Sequence, residues 1–477
     1  MENKNLTLVL LALFDRGGLL PELTRYIQKC VHKDTSLILR LHDWMVKCCK
    51  NQTNLDRKLD KNYVIKKVYG VNTARNDDNL RKLTSRYYGM IKDFLALRGF
   101  QYNNVLYDAQ LIYELEELGL DKPFYEILDR TEKRLPKEEA KHHLAKSNFL
   151  EAYYYHPKRS TREKKEYLGQ LDEAHKQHEI YSILKRLKYF CEKLFWNKIH
   201  GVELEENFKL KLEHVLSNPY IEESLLARLF SFAAKLLHSP SLKSYTELKN
   251  LFLDNFDDVY SEKRAILTYL LNGLALFNYG EGRVTEIFSL YKLGLKHQLL
   301  VEKGVMEELQ FINVVSIACN IKKLDWCEDF IYNHIPYFNK FPIQRDNLEA
   351  LSMSLLNFER GEFKASQFLL GKISSTDQYL ILCTNILKFK ISYELGNIEH
   401  ILSKKRSFLS NLRTKGKKTQ MGNVYKSPNA NFLLTLERII NYRYERQATK
   451  ASILAFIECC NNEIVEKEWL IAKIMSL

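Results

Sequence analysis

Proline and glycine are scarce, nine and eighteen in 477 residues, and that scarcity excludes a chain built mainly from turns. No proline falls between Ser241 and Ile335, so nothing there forces a helix to break. With Lys, Glu, Leu and Ile abundant, the composition points to an all-α chain. Long apolar runs are missing too. Lys, Asp or Glu interrupts each run before it reaches the ~20 residues of a membrane span. The opening run Leu8–Phe14 is short, follows a single lysine and leads into Asp15-Arg16-Gly17. That is not a small-residue cleavage site, which argues against a secretory leader. The nine cysteines include no Cys-x-x-Cys, although Cys48–Cys49 and Cys459–Cys460 are adjacent pairs. An odd, irregular set fits a reducing compartment, with the thiols as small core groups. The expectation is a soluble, cytoplasmic protein.

Charge is uneven. The net +13 is concentrated in residues 1–100, with 19 Lys/Arg against 10 Asp/Glu, and in residues 400–436, with eight Lys/Arg and no acid. Residues 437–477 balance at six of each sign. The middle of the chain is therefore slightly acidic, and two local regions need a reason for being basic.

Short helices are expected over Asn5–Phe14, Pro21–Val31, Ser36–Lys50, Asn62–Tyr69 and Asp77–Leu97. The last is started by Asn76-Asp77-Asp78, a cap with favourable dipole charge, and stopped by Gly99. Val105–Leu118, Pro123–Arg134 and Lys137–Tyr155 follow, then Thr161–Trp196, whose length predicts a turn near His175–His178. From there a period emerges. Hairpin tips are predicted at His156-Pro157, His200-Gly201, Ser239-Pro240, Gly280-Glu281-Gly282, Lys322-Lys323, Gly361 and Gly396. Breaks between hairpins fall at Asn218-Pro219, Asp257-Asp258, Glu302–Gly304, Phe341-Pro342 and Ser374–Asp377. Such alternation is the signature of two-helix repeats.

Val305–Phe338 shows why each hairpin needs neighbours. Between Phe311 and Cys319 only Asn313 and Ser316 are polar, so that helix is buried on most sides. Beyond the corner Asn320-Ile-Lys-Lys323, Leu324, Cys327, Phe330 and Ile331 form one apolar stripe. Trp326, four residues before Phe330, is expected to be largely buried against the adjacent hairpin. In the next unit, Leu348, Leu351, Leu355, Leu356 and Phe358 stripe the helix that Gly361 ends. Ala365, Phe368, Leu369 and Ile373 stripe its partner.

Around Arg360-Gly-Glu-Phe363 and Leu395-Gly-Asn-Ile398 the chain resembles tetratricopeptide repeats in degenerate form, through the turns and helix lengths. The family's small residue three positions on is Ser366 in one unit and Ile401 in the other. The whole chain also resembles a Bacteroidetes-type group of uncharacterised proteins of similar length. That likeness rests on Asn79-Leu-Arg-Lys-Leu-Thr-Ser85, Phe311-Ile-Asn-Val-Val315, Leu324-Asp-Trp-Cys-Glu-Asp-Phe-Ile331 and Glu468-Trp-Leu470. It implies an architecture and no activity.

Motifs that carry chemistry are incomplete. Gly416-Lys417-Lys418-Thr419 ends like a phosphate loop, but Asn411 occupies the earlier glycine position, Lys418 intrudes before Thr419 and a helix precedes it. Gly280-x-Gly282 lacks a third glycine. Glu139-x-x-His142 has the ligand spacing of a di-iron set, but that set needs a second copy and two more glutamates. Asp172, His175 and His178 lie near one helix face with a spacing that a metal could use, and read as solvated polar residues.

Two basic regions remain. Lys404, Lys405, Arg406, Arg413, Lys415, Lys417, Lys418 and Lys426 cluster where a helix gives way to a polar stretch, as candidate anion contacts or a solvated loop. Tyr63–Tyr69 and Asp77–Leu97 resemble the helix pair of winged-helix regulators. There Arg81, Lys82 and Arg86 would face phosphates, although no wing follows Gly99.

The sequence thus predicts an all-α, tetratricopeptide-like α-solenoid of helical hairpins with an N-terminal helical cluster. Residues 1–100 would form the cluster, 101–414 the hairpins, 415–427 an irregular basic loop and 428–477 capping helices. The expected function is a protein–protein interaction scaffold, using some of the 28 tyrosines at its surface. No catalysis, cofactor, metal or membrane contact is expected. The alternative is a nucleic-acid-associated or transcription-regulatory protein using the two basic regions.

Overall fold

A computed structural model describes residues 19–30, 35–50, 58–70, 76–102, 104–118, 120–134, 140–155, 164–165, 167–259, 261–276, 282–302, 304–339, 342–374, 377–418, 423–445, 449–460 and 464–477. The helix expected at Asn5–Phe14 and the tip at His156-Pro157 lie outside them. Helices dominate. Among the described residues the only strands are Val301–Glu302 and Val305–Met306, a two-residue antiparallel pair. No helix there is long and apolar enough to cross a membrane.

The chain divides into two compact units: Met1–Arg134 with Glu151–Glu166, and Leu135–Leu150 with Tyr167–Leu477. The first contains α1 (Leu19–Lys29), α2 (Thr35–Lys50), α3 (Lys61–Tyr69), α4 (Asn76–Tyr102), α5 (Asn104–Glu117) and α6 (Asp121–Arg134). Asp60 caps α3 by accepting from the N–H groups of Asn62 and Tyr63, and Gly70 ends it in a left-handed conformation. Leu23, Ile27, Leu41, Val64, Val68, Tyr87 and Ile91 are fully buried between α1, α2, α3 and α4. At their centre the His42 ring bonds Thr24 Oγ1 at 2.7 Å and Tyr87 Oη at 2.8 Å. A boundary was expected at residue 100, but α4 runs through it and the first unit continues to Arg134. Gly99 does not stop α4, because one glycine costs a helix interior only about 1 kcal/mol.

Helix α7 (Ala140–Tyr155) is divided between the units after Leu150, and the next long element of the second unit is α8 (Leu168–His200). The turn expected near His175–His178 is absent: α8 is continuous. Ala174, Gln177, Ile180, Leu184, Leu187, Cys191 and Leu194 give it one buried stripe throughout, while His175 and His178 are exposed. An unbroken stripe holds a long helix straight whatever its polar face carries.

From α8 on, six helical pairs follow in sequence. They are α8 with α9 (Phe208–Leu216), α10 (Leu225–His238) with α11 (Leu242–Asp254), and α12 (Lys263–Leu276) with α13 (Arg283–Lys296). Then come α14 (Glu308–Asn320) with α15 (Leu324–His334), α16 (Pro342–Glu359) with α17 (Phe363–Leu370), and α18 (Gln378–Glu394) with α19 (Ile398–Lys418). The corners at His200-Gly201, Ser239-Pro240, Lys322-Lys323, Gly361 and Gly396 stand where the sequence placed them. Residues 277–281 of the remaining tip lie outside the described residues. Short 3-10 turns at Pro219–Glu223, Phe256–Asp258 and Ile335–Phe338 mark three of the breaks.

Three corners repeat one hydrogen-bond pattern. The N–H groups of Lys322, Gly361 and Gly396, all at positive φ, donate to the carbonyl three residues back (Cys319, Phe358, Tyr393). The next N–H donates five back, to Ala318, Asn357 and Ser392. This closure satisfies the last helical carbonyls and reverses the chain. First helices also pack on one another, α8 on α10, α10 on α12, α14 on α16 and α16 on α18. Gly273 in α12 permits one such approach, since a Cβ there would meet Leu236 Cδ2 at 2.4 Å. Ser354 and Ser366 permit close pairing within a hairpin, exchanging hydroxyl-to-carbonyl bonds of 2.9 and 2.7 Å.

The chain ends in α20 (Asn423–Glu445), α21 (Lys450–Cys459) and α22 (Lys467–Met475). The irregular loop expected over 415–427 is instead helical at both ends. α19 reaches Lys418, α20 starts at Asn423, and Pro428 lies inside α20; residues 419–422 lie outside the described residues. The buried stripe of Phe432, Leu433, Leu436, Ile439 and Ile440 anchors α20, and once a helix is nucleated each further residue adds a bond at little cost. α20 also touches α8, a contact that a strictly nearest-neighbour stack would not make.

Candidate functional site

The last hairpin carries a cleft of about 290 Å³ between α18 and α19. α18 contributes Asn385, Lys388 and Phe389, at i, i+3 and i+4. α19 contributes His400, Lys404, Ser407, Phe408 and Asn411, at i, i+4, i+7, i+8 and i+11. Each set is one helical stripe, and the Gly396 corner folds one against the other. Phe389 and Phe408 meet edge to face at 5.5 Å and are nearly buried, forming an apolar floor. Above it the walls are two lysines, an imidazole, two amides and a hydroxyl, and no carboxylate lines the cleft. His400 Nδ1 lies 3.1 Å from Ser392 Oγ, which fixes the ring. Among the described residues neither Lys388 nor Lys404 has a carboxylate within ion-pair distance.

Lys390, two residues beyond Lys388, points the other way and is buried, with 3% of its side chain exposed. Its ammonium donates to Glu466 Oε2 at 2.7 Å and lies 3.8 Å from Glu359 Oε1. It also sits over the rings of Phe358, at 4.5 Å, and Trp469, at 5.7 Å. Trp469 donates its indole N–H to Glu394 at 3.0 Å, and Lys473 pairs with the same carboxylate. This network joins α16, α18 and α22 and holds the inner side of the cleft's first helix.

Of the basic residues singled out in the sequence, Lys404 lines the cleft. Lys405 pairs instead with Glu437 of α20, and Arg406 is exposed. Arg413, Lys415, Lys417 and Lys418 continue α19, and Lys426 belongs to α20; their side chains lie outside the described residues. Arg81, Lys82 and Arg86 are exposed on α4, in the first compact unit, so the two basic regions belong to different units. Lys388, Asn385 and His400 were not anticipated. The signal available was the polar stripe His400, Lys404, Ser407, Asn411 running beside buried Ile401, Phe408 and Leu412.

Other polar groups are built into the interior. His143 Nδ1 bonds Gln177 Oε1 at 2.7 Å, and Gln177 donates to Glu173 at 2.7 Å. Burial pushes the His42, His143 and His334 imidazoles below their ordinary value. Cys319 and Cys327 face each other across the α14–α15 corner at 3.8 Å. The hydrogen bond between them, and then burial, push the Cys319 thiol far up, so it is an inert core group. Asp172, His175 and His178 are exposed on α8. Trp326 is largely though not fully buried, and it packs as expected on the preceding hairpin. Its ring meets Phe288 of α13 at 4.8 Å and stacks on Phe330 at 5.5 Å.

No protein-family model matches the chain. Comparison with curated proteins and with solved structures found no match.

Proposed function

We propose that the chain is a non-catalytic binding scaffold, a tetratricopeptide-like α-solenoid whose second unit presents a protein partner with a row of second helices. The observation that carries this reading is where the large apolar side chains reach the surface. From α10 to α18 the first helices keep them inside, apart from the first-turn residues Leu309 and Ile343. The second helices expose Leu242 and Leu253 on α11, Tyr332 on α15, Phe368 on α17 and Leu402 on α19. Single exposed apolar residues are ordinary, and α13 exposes none, but recurrence on the second helices of the last three hairpins, α15, α17 and α19, is what an extended interface needs. Aromatic anchors such as Tyr332 and Phe368 are the side chains that dominate protein interfaces.

The test is affinity capture from native cells with the wild-type chain and with a Tyr332→Ser, Phe368→Ser, Leu402→Ser variant. All three residues are exposed, so the variant keeps its melting temperature. The proposal expects a stoichiometric protein to be captured by the first and lost from the second. Equal capture by both would refute it. A nucleic-acid reading is favoured by the acid-free stretch 400–436 and by Lys388 and Lys404. It requires retention on a polyanionic resin at physiological salt.

A further inference from the structure

We propose that the α18–α19 cleft is a binding site for a phosphomonoester, the phosphate held between Lys388 and Lys404 and the organic group lying on Phe389 and Phe408. The inference stands apart from the scaffold reading, which uses other residues. Three observations meet in it. First, the cleft has charge of one sign only: two ammonium groups and no carboxylate in its walls. Three neighbouring lysines, by contrast, find acids: Lys390 and Lys405 on the same two helices, and Lys473 on α22. Two cations lining one cleft with no counter-charge in its walls suit an anion of about two charges. Second, the neutral groups suit the remaining oxygens. The amides of Asn385 and Asn411 can donate, and so can the Ser407 hydroxyl. A carboxylate has two oxygens in one plane, whereas a phosphomonoester offers three arranged in a cone, as donors on two facing helices require. Third, the cleft's volume, at the lower end of the ligand-site range, exceeds what a bare phosphate fills, and its floor is two aromatic rings.

Isothermal titration of the full chain with phenyl phosphate, inorganic phosphate, a phosphotyrosine heptapeptide and a dT oligonucleotide tests this. The proposal expects one phenyl phosphate per chain, bound tighter than inorganic phosphate. Lys388→Gln with Lys404→Gln should weaken it at least tenfold, and the exposed Lys364→Gln should leave it unchanged. Both cleft lysines are exposed, so that variant folds, as its circular dichroism should verify. A peptide that binds tighter than phenyl phosphate identifies a phosphorylated protein side chain as the source; equal affinity identifies a small molecule. No binding by either monoester overturns the proposal, as does equal weakening by Lys364→Gln. Tighter binding of the oligonucleotide, weakened by the same pair of substitutions, would make the cleft part of a nucleic-acid track and also overturn it.

Discussion

Replacing Lys390 separates the work of its charge from the work of its stem. The side chain is 3% exposed and spans two carboxylates, Glu466 at 2.7 Å and Glu359 at 3.8 Å. Glu359 is itself only 12% exposed, so it cannot regain full hydration once the ammonium is gone. Removing one partner of a buried ion pair costs about 3–5 kcal/mol, because the other is left uncompensated. Lys390→Ala should lie at the upper end of that range, since it also strips the methylenes from Phe358. Lys390→Met keeps the stem and removes the charge, and should lie at the lower end. Glu466 adopts a left-handed backbone, φ 56°, at the start of α22, a conformation that costs a non-glycine residue roughly 1–2 kcal/mol. The ion pair offsets that cost and fixes where α22 docks. Urea denaturation followed by tryptophan fluorescence, near Trp469, reads the stability. A double-mutant cycle with Glu466→Gln should return a coupling of about 0.5–3 kcal/mol. The reasoning fails if Lys390→Met unfolds at the wild-type urea concentration.

Other substitutions probe the corners, the packing and the protonation state. Gly273→Ala should destabilise by about 1–3 kcal/mol in the same titration, although alanine is the better helix former, because its Cβ would overlap Leu236. Gly361→Ala should cost about 1–2 kcal/mol at the φ 81° corner. Trp326→Ala should cost about 2–3 kcal/mol, below the range for a fully buried tryptophan, because the ring is not fully buried. Stability should fall as pH drops through about 6.5. His42, His143 and His334 are held below their ordinary value when folded, so the unfolded chain binds more protons there and gains. Melting temperatures across pH 5–8 check the sign, and His42→Gln should flatten the profile.

Much of the fold was legible because its punctuation is local. Gly361, Gly396 and Ser239-Pro240 reverse the chain through their own backbone preferences, and the breaks carry Pro219, Asp257 and Asp377. What depends on distant contacts was not legible. The buried stripe that keeps α8 straight past His178 is seen only once its neighbours are in place. Pro428 reads as a stop, yet α20 runs through it because Phe432 and Leu436 are held in a core. The cleft was half legible. Lys404 stood out in an acid-free stretch, but Lys388 joins it only because the Gly396 corner sets α18 against α19. Nothing local marks Lys390 as buried, because its partner Glu466 lies 76 residues on.

The row of exposed second-helix side chains is the centre of the functional account, and hydroxyl-radical footprinting reads it directly. In the chain alone, Tyr332, Phe368 and Leu402 should be oxidised rapidly, while Phe311 and Phe330, buried against each other between α14 and α15, should not react. In complex with the captured partner the first three should become protected together, with Arg81, Lys82 and Arg86 on α4 unchanged. Continued oxidation of Tyr332, Phe368 and Leu402 in a saturated complex would contradict the account.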